Sequence, residues 1–217
     1  MAFDALDEHE QGELVRKWLR ENAMSILIGV VLGLLIIFGW QQWRTHRARH
    51  GAEAALHYQS LATAFEAKNT DAATATLEGL KKDYADSAYA VFAAMRTARD
   101  ALARADKPAA VTAAEWAYEH AASPELKALA GLRLARLRLG EGQGDQALAL
   151  LQQLPSAGYE AMIAELRGDA LLAAGKTDEA RAAYQQAFDA LDAASPARQN
   201  LEMKLADLGG STEKKSS

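Results

Sequence analysis

The residues able to do chemistry are sparse, and their spacing argues against most of what they might do. Five histidines, at 9, 46, 50, 57 and 120, are the imidazole ligands available, and no cysteine joins them. His46 and His50 lie four apart and share a helix face, as two metal ligands do, but the sequence positions no third ligand beside them. They stand instead among Arg44, Arg47 and Arg49, which is the composition of a basic interfacial helix. The run Gly140-Glu141-Gly142-Gln143-Gly144 is rich in glycine, yet it lacks the G-x-G-x-x-G order, a preceding strand and the lysine of a phosphate-binding loop. It reads as a turn between helices. No G-x-S-x-G, no H-E-x-x-H and no carboxylate pair in an apolar setting is present, so neither a nucleophile, a metal nor an acid-base pair has a foothold. The sequence therefore points away from an enzyme, and no cofactor is expected.

Composition agrees with that reading. Of 217 residues, 50% are apolar and 24% charged, which is a folded chain rather than a disordered one. Lysine plus arginine is 24 against 29 for aspartate plus glutamate, a formal charge of −5, so the whole chain offers no electrostatic footprint for nucleic acid. The absence of cysteine removes a disulfide scaffold, a thiolate metal site and a redox dithiol together.

The elements that must position any site are a membrane anchor and a series of helices. From Asn22 to Trp43 there is no charged residue, and AMSILIGVVLGLLIIFGW (23–40) matches the roughly 20 residues that a hydrocarbon core demands of a helix. Trp40 and Trp43 stand at one end, where indole rings prefer the headgroup level. The run is longer than a signal-peptide core and no small-residue cleavage site follows it, so residues 23–43 read as an uncleaved signal anchor in the bilayer. Arg16, Lys17 and Arg20 precede it and Arg44, Arg47 and Arg49 follow, three against three, and this tie leaves the orientation open. Within the span, Gly29 and Gly33 form a G-x-x-x-G pair that would let another helix approach closely.

Beyond Trp43, alanine and leucine recur at helical spacing, and no alternating stretch reads as a strand. The expected fold is all-α, with helices near 44–68, 71–84, 87–105, 108–122, 124–141, 145–154, 158–174, 178–190 and 196–207, the first continuing the membrane helix. Ser123-Pro124 and Ser195-Pro196 are candidate starts, each a capping hydroxyl before a first-turn proline, and Thr177-Asp178-Glu179 puts acids in a first turn. Gly142 and Gly175 are stops 33 residues apart, and Leu132-Arg133 recurs 34 residues later as Leu166-Arg167. A period of 33 to 34 is that of the tetratricopeptide repeat. Its paired helices touch through small residues twelve positions apart, a spacing met by Ala98 with Ala110, Ala135 with Ala147 and Gly168 with Ala180, and loosely by Ala62 with Thr74. Leu151 and Tyr184 would fill the space between neighbouring pairs. The expected architecture is thus a single N-terminal transmembrane helix followed by an α-solenoid of such pairs, ending in a polar, disordered tail at 209–217.

A solenoid lines its inner face with first-helix side chains, making a groove for a peptide or a partner helix. Counted from the small residues, a partner-binding groove would include Phe92, Met95, Arg99, Arg136, Met162, Glu165 and Asp169, with Leu129, Leu132, Leu139 and Leu172 equally consistent with interhelical core. A membrane-anchored scaffold for a cell-envelope assembly unrelated to secretion is the alternative use of the same repeats.

The chain resembles the YfgM-type ancillary subunits of the SecYEG translocon. The likeness is carried by Val15-Arg16-Lys17-Trp18, Glu21-Asn22, the glycine-bearing anchor, Trp40-Gln41-Gln42-Trp43, Leu132-Arg133-Leu134-Ala135-Arg136 and, most distinctively, the segment from Glu165 to Lys176, ELRGDALLAAGK. The resemblance implies an inner-membrane protein with a short cytoplasmic segment at 1–22 and a periplasmic repeat domain at 44–208. It also implies association with SecYEG and with the membrane-anchored periplasmic chaperone PpiD, and a part in passing emerging secreted proteins to periplasmic chaperones.

Overall fold

The computed structural model describes residues 8–209, so the tail expected at 209–217 lies outside the described residues except for Gly209. The described residues are helices and turns throughout, and they fall into two compact units, Met1–His50 and Gly51–Ser217.

The first unit holds the N-terminal part of α1, which spans Glu8–Glu66. Among the described residues this is one helix long and apolar enough to cross a membrane. From Ile26 to Phe38 its aliphatic side chains are 40–72% exposed, each forgoing about 1.5–3 kcal/mol of burial in water. A helix satisfies its backbone internally, so hydrocarbon around these side chains removes that cost without creating another. At the far end the Trp40 and Trp43 rings lie 5.3 Å apart and the Arg47 guanidinium sits 5.4 Å from the Trp43 centroid, an aromatic and cationic collar suited to an interface.

The second unit holds the end of α1 and eight further helices: α2 (Thr70–Asp83), α3 (Ala88–Ala103), α4 (Lys107–His120), α5 (Pro124–Gly140), α6 (Gly144–Gln153), α7 (Glu160–Ala173), α8 (Thr177–Asp189) and α9 (Ala197–Asp207). Local chemistry sets their starts. Asn69, Ser87, Asp106 and Ser123 each accept a hydrogen bond from a first-turn amide at 3.0–3.2 Å, satisfying donors that have no partner within the helix. Ser195 does not act this way: α9 opens after Pro196 with no side-chain cap.

Four turns share one construction. After α1, α3, α5 and α7 a residue in the left-handed region, Lys68, Ala105, Gly142 or Gly175, is followed by an amide that reaches back to the helix. The Asn69, Asp106, Gln143 and Lys176 amides donate to the carbonyls of Ala64, Ala101, Arg138 and Leu171 at 2.8–2.9 Å, the pattern of a Schellman C-cap. The turns are 37, 37 and 33 residues apart, so the repeat is longer in its first two spacings than the 33 to 34 expected. The last three turns each join two helices that pack together, α3 with α4, α5 with α6 and α7 with α8, and α3 adjoins α5 as α5 adjoins α7, so α3, α5 and α7 form one row.

Counting from these turns fixes the register. Ala98, Ala135 and Gly168 each precede the left-handed residue by seven, and Ala110, Ala147 and Ala180 follow it by five. All six are buried, as the spacing predicts. In the first pair the same count falls on Leu61 and Ala73, both buried, whereas Thr74 is exposed, so the expected pairing of Ala62 with Thr74 is one residue out of register. Leu151 and Tyr184 are 2% and 1% exposed and fill the interior as expected. Gly168 is needed for a specific reason: a Cβ there would stand 2.5 Å from Tyr184 Cδ1, too close for a rigid ring to accept.

Candidate partner-binding groove

The α3 and α5 helices bring four of the expected residues around one cavity of about 400 Å³. Phe92, Met95 and Arg99 come from α3 and Arg136 from α5, with Tyr58 of α1 at one side. Met95 is 2% exposed and makes part of the floor, while Phe92 is 37% exposed and reachable. The Tyr58, Tyr89 and Phe92 rings run in succession with centroids 6.1 and 6.5 Å apart, a geometry that leaves aromatic faces and edges available. Leu132, by contrast, is 1% exposed and belongs to the interhelical core.

Sequence reasoning missed Arg96, Arg133, Leu102 and Leu137, which line the same cavity. The signal was present, because Arg96 and Arg133 stand 37 apart and each lies three before Arg99 or Arg136, one helical turn along the same face.

Met162, Glu165 and Asp169 lie on α7, outside this cavity. Met162 is exposed, but the two carboxylates are engaged within the chain: Lys204 of α9 donates to Glu165 Oε1 at 2.8 Å and to Asp169 Oδ1 at 2.7 Å. The Tyr184 hydroxyl donates to Asp169 Oδ1 at 2.8 Å and the Asn200 amide to Glu165 Oε1 at 3.1 Å. Burial and the bond to Asp169 push the Tyr184 phenol well above its usual range. Burial opposes the charge on Lys204, but hydrogen bonds to Asp169 and Glu165 outweigh it and hold the ammonium pKa above 10.5. Leu201 and Leu205 are both buried, and α9 packs against α8.

In the first unit, a Cβ at Gly29 or Gly33 would meet nothing within 4 Å, which leaves the G-x-x-x-G face open. The His46 and His50 rings lie 6.4 Å apart, and no group of three His, Cys, Asp or Glu gathers as a metal site among the described residues.

The described residues thus comprise one anchor-length helix and a series of packed helices, with a cavity between α3 and α5. Known proteins are similar to this chain over most of its length. The family model described as a tetratricopeptide repeat-like domain matches residues 16–210. An ancillary SecYEG translocon subunit of Haemophilus influenzae is 31% identical over 187 residues, covering 86% of this chain and 91% of that protein. Its counterpart in Escherichia coli K12 is 28% identical over 202 residues, 93% of this chain and 97% of that one. One from Aggregatibacter actinomycetemcomitans is 26% identical over 208 residues, 96% of this chain and all of that protein. Since the match runs through anchor and repeats alike, this chain belongs to the ancillary SecYEG translocon subunit family, a family built on the tetratricopeptide repeat-like domain.

Proposed function

We propose that this chain is a non-enzymatic ancillary subunit of the SecYEG translocon, held in the bacterial inner membrane by one helix at 23–43. Residues 1–22 are cytoplasmic and the repeat domain from 44 to 208 is periplasmic. The observation that carries this reading is likeness to ancillary translocon subunits along both the anchor and the repeats, rather than along the repeats alone.

The anchor holds the helical repeats beside the channel exit, which raises their effective concentration for a partner or an emerging chain even where each contact is weak. Protein partners bind along the row of first helices, through Phe92, Met95, Arg99 and Arg136, with Met162 at the far end. Glu165 and Asp169 contribute by seating α9, which closes that row. The partners are SecYEG, the membrane-anchored chaperone PpiD and emerging secreted proteins, which the subunit helps to pass to periplasmic chaperones. Gly29 and Gly33 offer the close-approach face for another membrane helix.

Orientation and association are tested together. With an epitope after Gly210, protease should reach the tail in spheroplasts and spare it in inverted vesicles, and the detergent-extracted protein should co-purify with SecYEG and PpiD. Digestion in inverted vesicles alone would reverse the topology and remove the periplasmic role. Correct topology without co-purification would leave a membrane scaffold for some other envelope assembly.

A further inference from the structure

Arg99, Arg136 and Asp169 occupy one position in three successive repeats, each following by one residue the small residue at 98, 135 or 168. In the third repeat the charge is met inside the chain, since Asp169 receives Lys204 at 2.7 Å. In the first two of these repeats it is not. Among the described residues no carboxylate pairs with Arg99 or Arg136, nor with Arg96 and Arg133 one turn before them. No acidic side chain lines the cavity these four guanidiniums surround. Four like charges around one cavity repel one another, and in a chain of net charge −5 this concentration runs against the average. The floor between them is apolar, from Phe92 and Met95 through Leu102 to Leu137, and a slot of about 90 Å³ continues it past Leu102 and Leu137 toward Gly140, with Lys107 and Glu141 also in the slot's lining.

We propose that this cavity docks an acidic segment of a partner protein, with a bulky apolar side chain seated on the Phe92–Leu137 floor and carboxylates on either side meeting the Arg96/Arg99 and Arg133/Arg136 pairs. The inference deepens the partner-binding role proposed above and rests on it. Guanidiniums three residues apart on each of two neighbouring helices offer paired donors to carboxylates on both sides of the seated side chain. The intramolecular contact of Lys204 with Glu165 and Asp169 is the same recognition with the signs exchanged. An apolar floor rewards a side chain between the charges, which separates this surface from one that merely attracts anions.

The test uses the full chain in detergent and a fluorescein-labelled peptide carrying two glutamates on each side of a leucine-phenylalanine pair, read by anisotropy. The wild type should bind it, and Arg99→Glu with Arg136→Glu should weaken binding by about tenfold or more, because each attraction becomes a repulsion. Both arginines are exposed, so helical circular dichroism should be unchanged, and Lys82→Glu with Lys176→Glu, the same two charge reversals at exposed positions outside the cavity, should bind as wild type does. A peptide with glutamine for glutamate should bind as weakly as the double variant. Equal affinity of wild type and double variant, or no binding by either, overturns the proposal. So does arginine-dependent capture of phosphatidylethanolamine–phosphatidylglycerol vesicles without capture of the peptide. Co-purification with SecYEG is measured on the same proteins: its loss from the wild type counts against the translocon role itself, whereas its survival alongside a failed peptide assay rejects the acidic segment alone.

Discussion

Replacing Gly168 by alanine puts the repeat register to a physical test, because two effects of opposite sign act on one methyl group. Within α7, alanine is preferred to glycine by about 1 kcal/mol through backbone entropy alone. Against this, the new Cβ would stand 2.5 Å from Tyr184 Cδ1 and 3.0 Å from Cζ, where carbon atoms prefer about 3.5–4.0 Å. The ring cannot retreat easily, because Tyr184 is 1% exposed and its hydroxyl is tied to Asp169 at 2.8 Å. Overpacking costs about 1–3 kcal/mol, and a ring held this tightly puts the site in the upper part of that range, about 2–3, so the net effect is a loss of about 1–2 kcal/mol. At roughly 2–4 °C per kcal/mol for a chain of this size, thermal unfolding of the detergent-solubilised protein followed by circular dichroism should drop by ~2–8 °C. Gly79→Ala in α2 is the control: a Cβ there meets nothing within 4 Å, so the entropy gain stands alone and Tm should rise slightly. In a Tyr184→Leu background the penalty of Gly168→Ala should disappear, which a double-mutant cycle reads as coupling. A Gly168→Ala protein that melts at or above wild type, like the Gly79 control, would refute the close approach of α7 and α8 at this position.

The C-cap turns predict opposite effects for exchanges at equivalent places. Ala105→Gly should stabilise by about 0.5–1 kcal/mol, since Ala105 sits at φ 61°, while Gly142→Ala at φ 76° should cost about 1–2 kcal/mol with no steric clash involved. Chemical unfolding of the two variants beside wild type measures both. The α7–α9 network predicts a pH dependence. Lys204 has its pKa raised, so its contribution is complete below the unfolded value of 10.5 and is lost as pH climbs through the folded value; raised in the same sense, Tyr184 adds to that loss. Melting temperature should fall from Lys204 only in the alkaline range, and Lys204→Met should be less stable at pH 8 with a shallower decline above pH 10.5.

The membrane helix, the helix boundaries and the all-α class were legible in the residues because each is decided over a short stretch of chain. Hydrogen bonds in a helix join residues four apart, caps such as Ser123 act within three residues, and a span needs only an uninterrupted apolar run. The repeat was legible where small residues marked it, at 98, 135 and 168, and misplaced by one where Leu61 stands in the small position. Two of the four matching turns escaped notice because Lys68 and Ala105 adopt the left-handed conformation without being glycine, held there by the back-reaching amides of Asn69 and Asp106.

What only the tertiary structure decided is which charges find partners. Glu165 and Asp169 read along the chain as groove residues, equal in standing to Arg99 and Arg136. It is the seating of α9, which brings Lys204 to them across 35 to 39 positions, that engages the acidic pair within the chain, while Arg99 and Arg136 line the cavity between α3 and α5. Periodicity specifies the face on which a side chain lies, through contacts made a few residues away. The identity of the opposite face is fixed only when helices distant in sequence stack to bury their apolar sides, and that step leaves four guanidiniums around one apolar cavity.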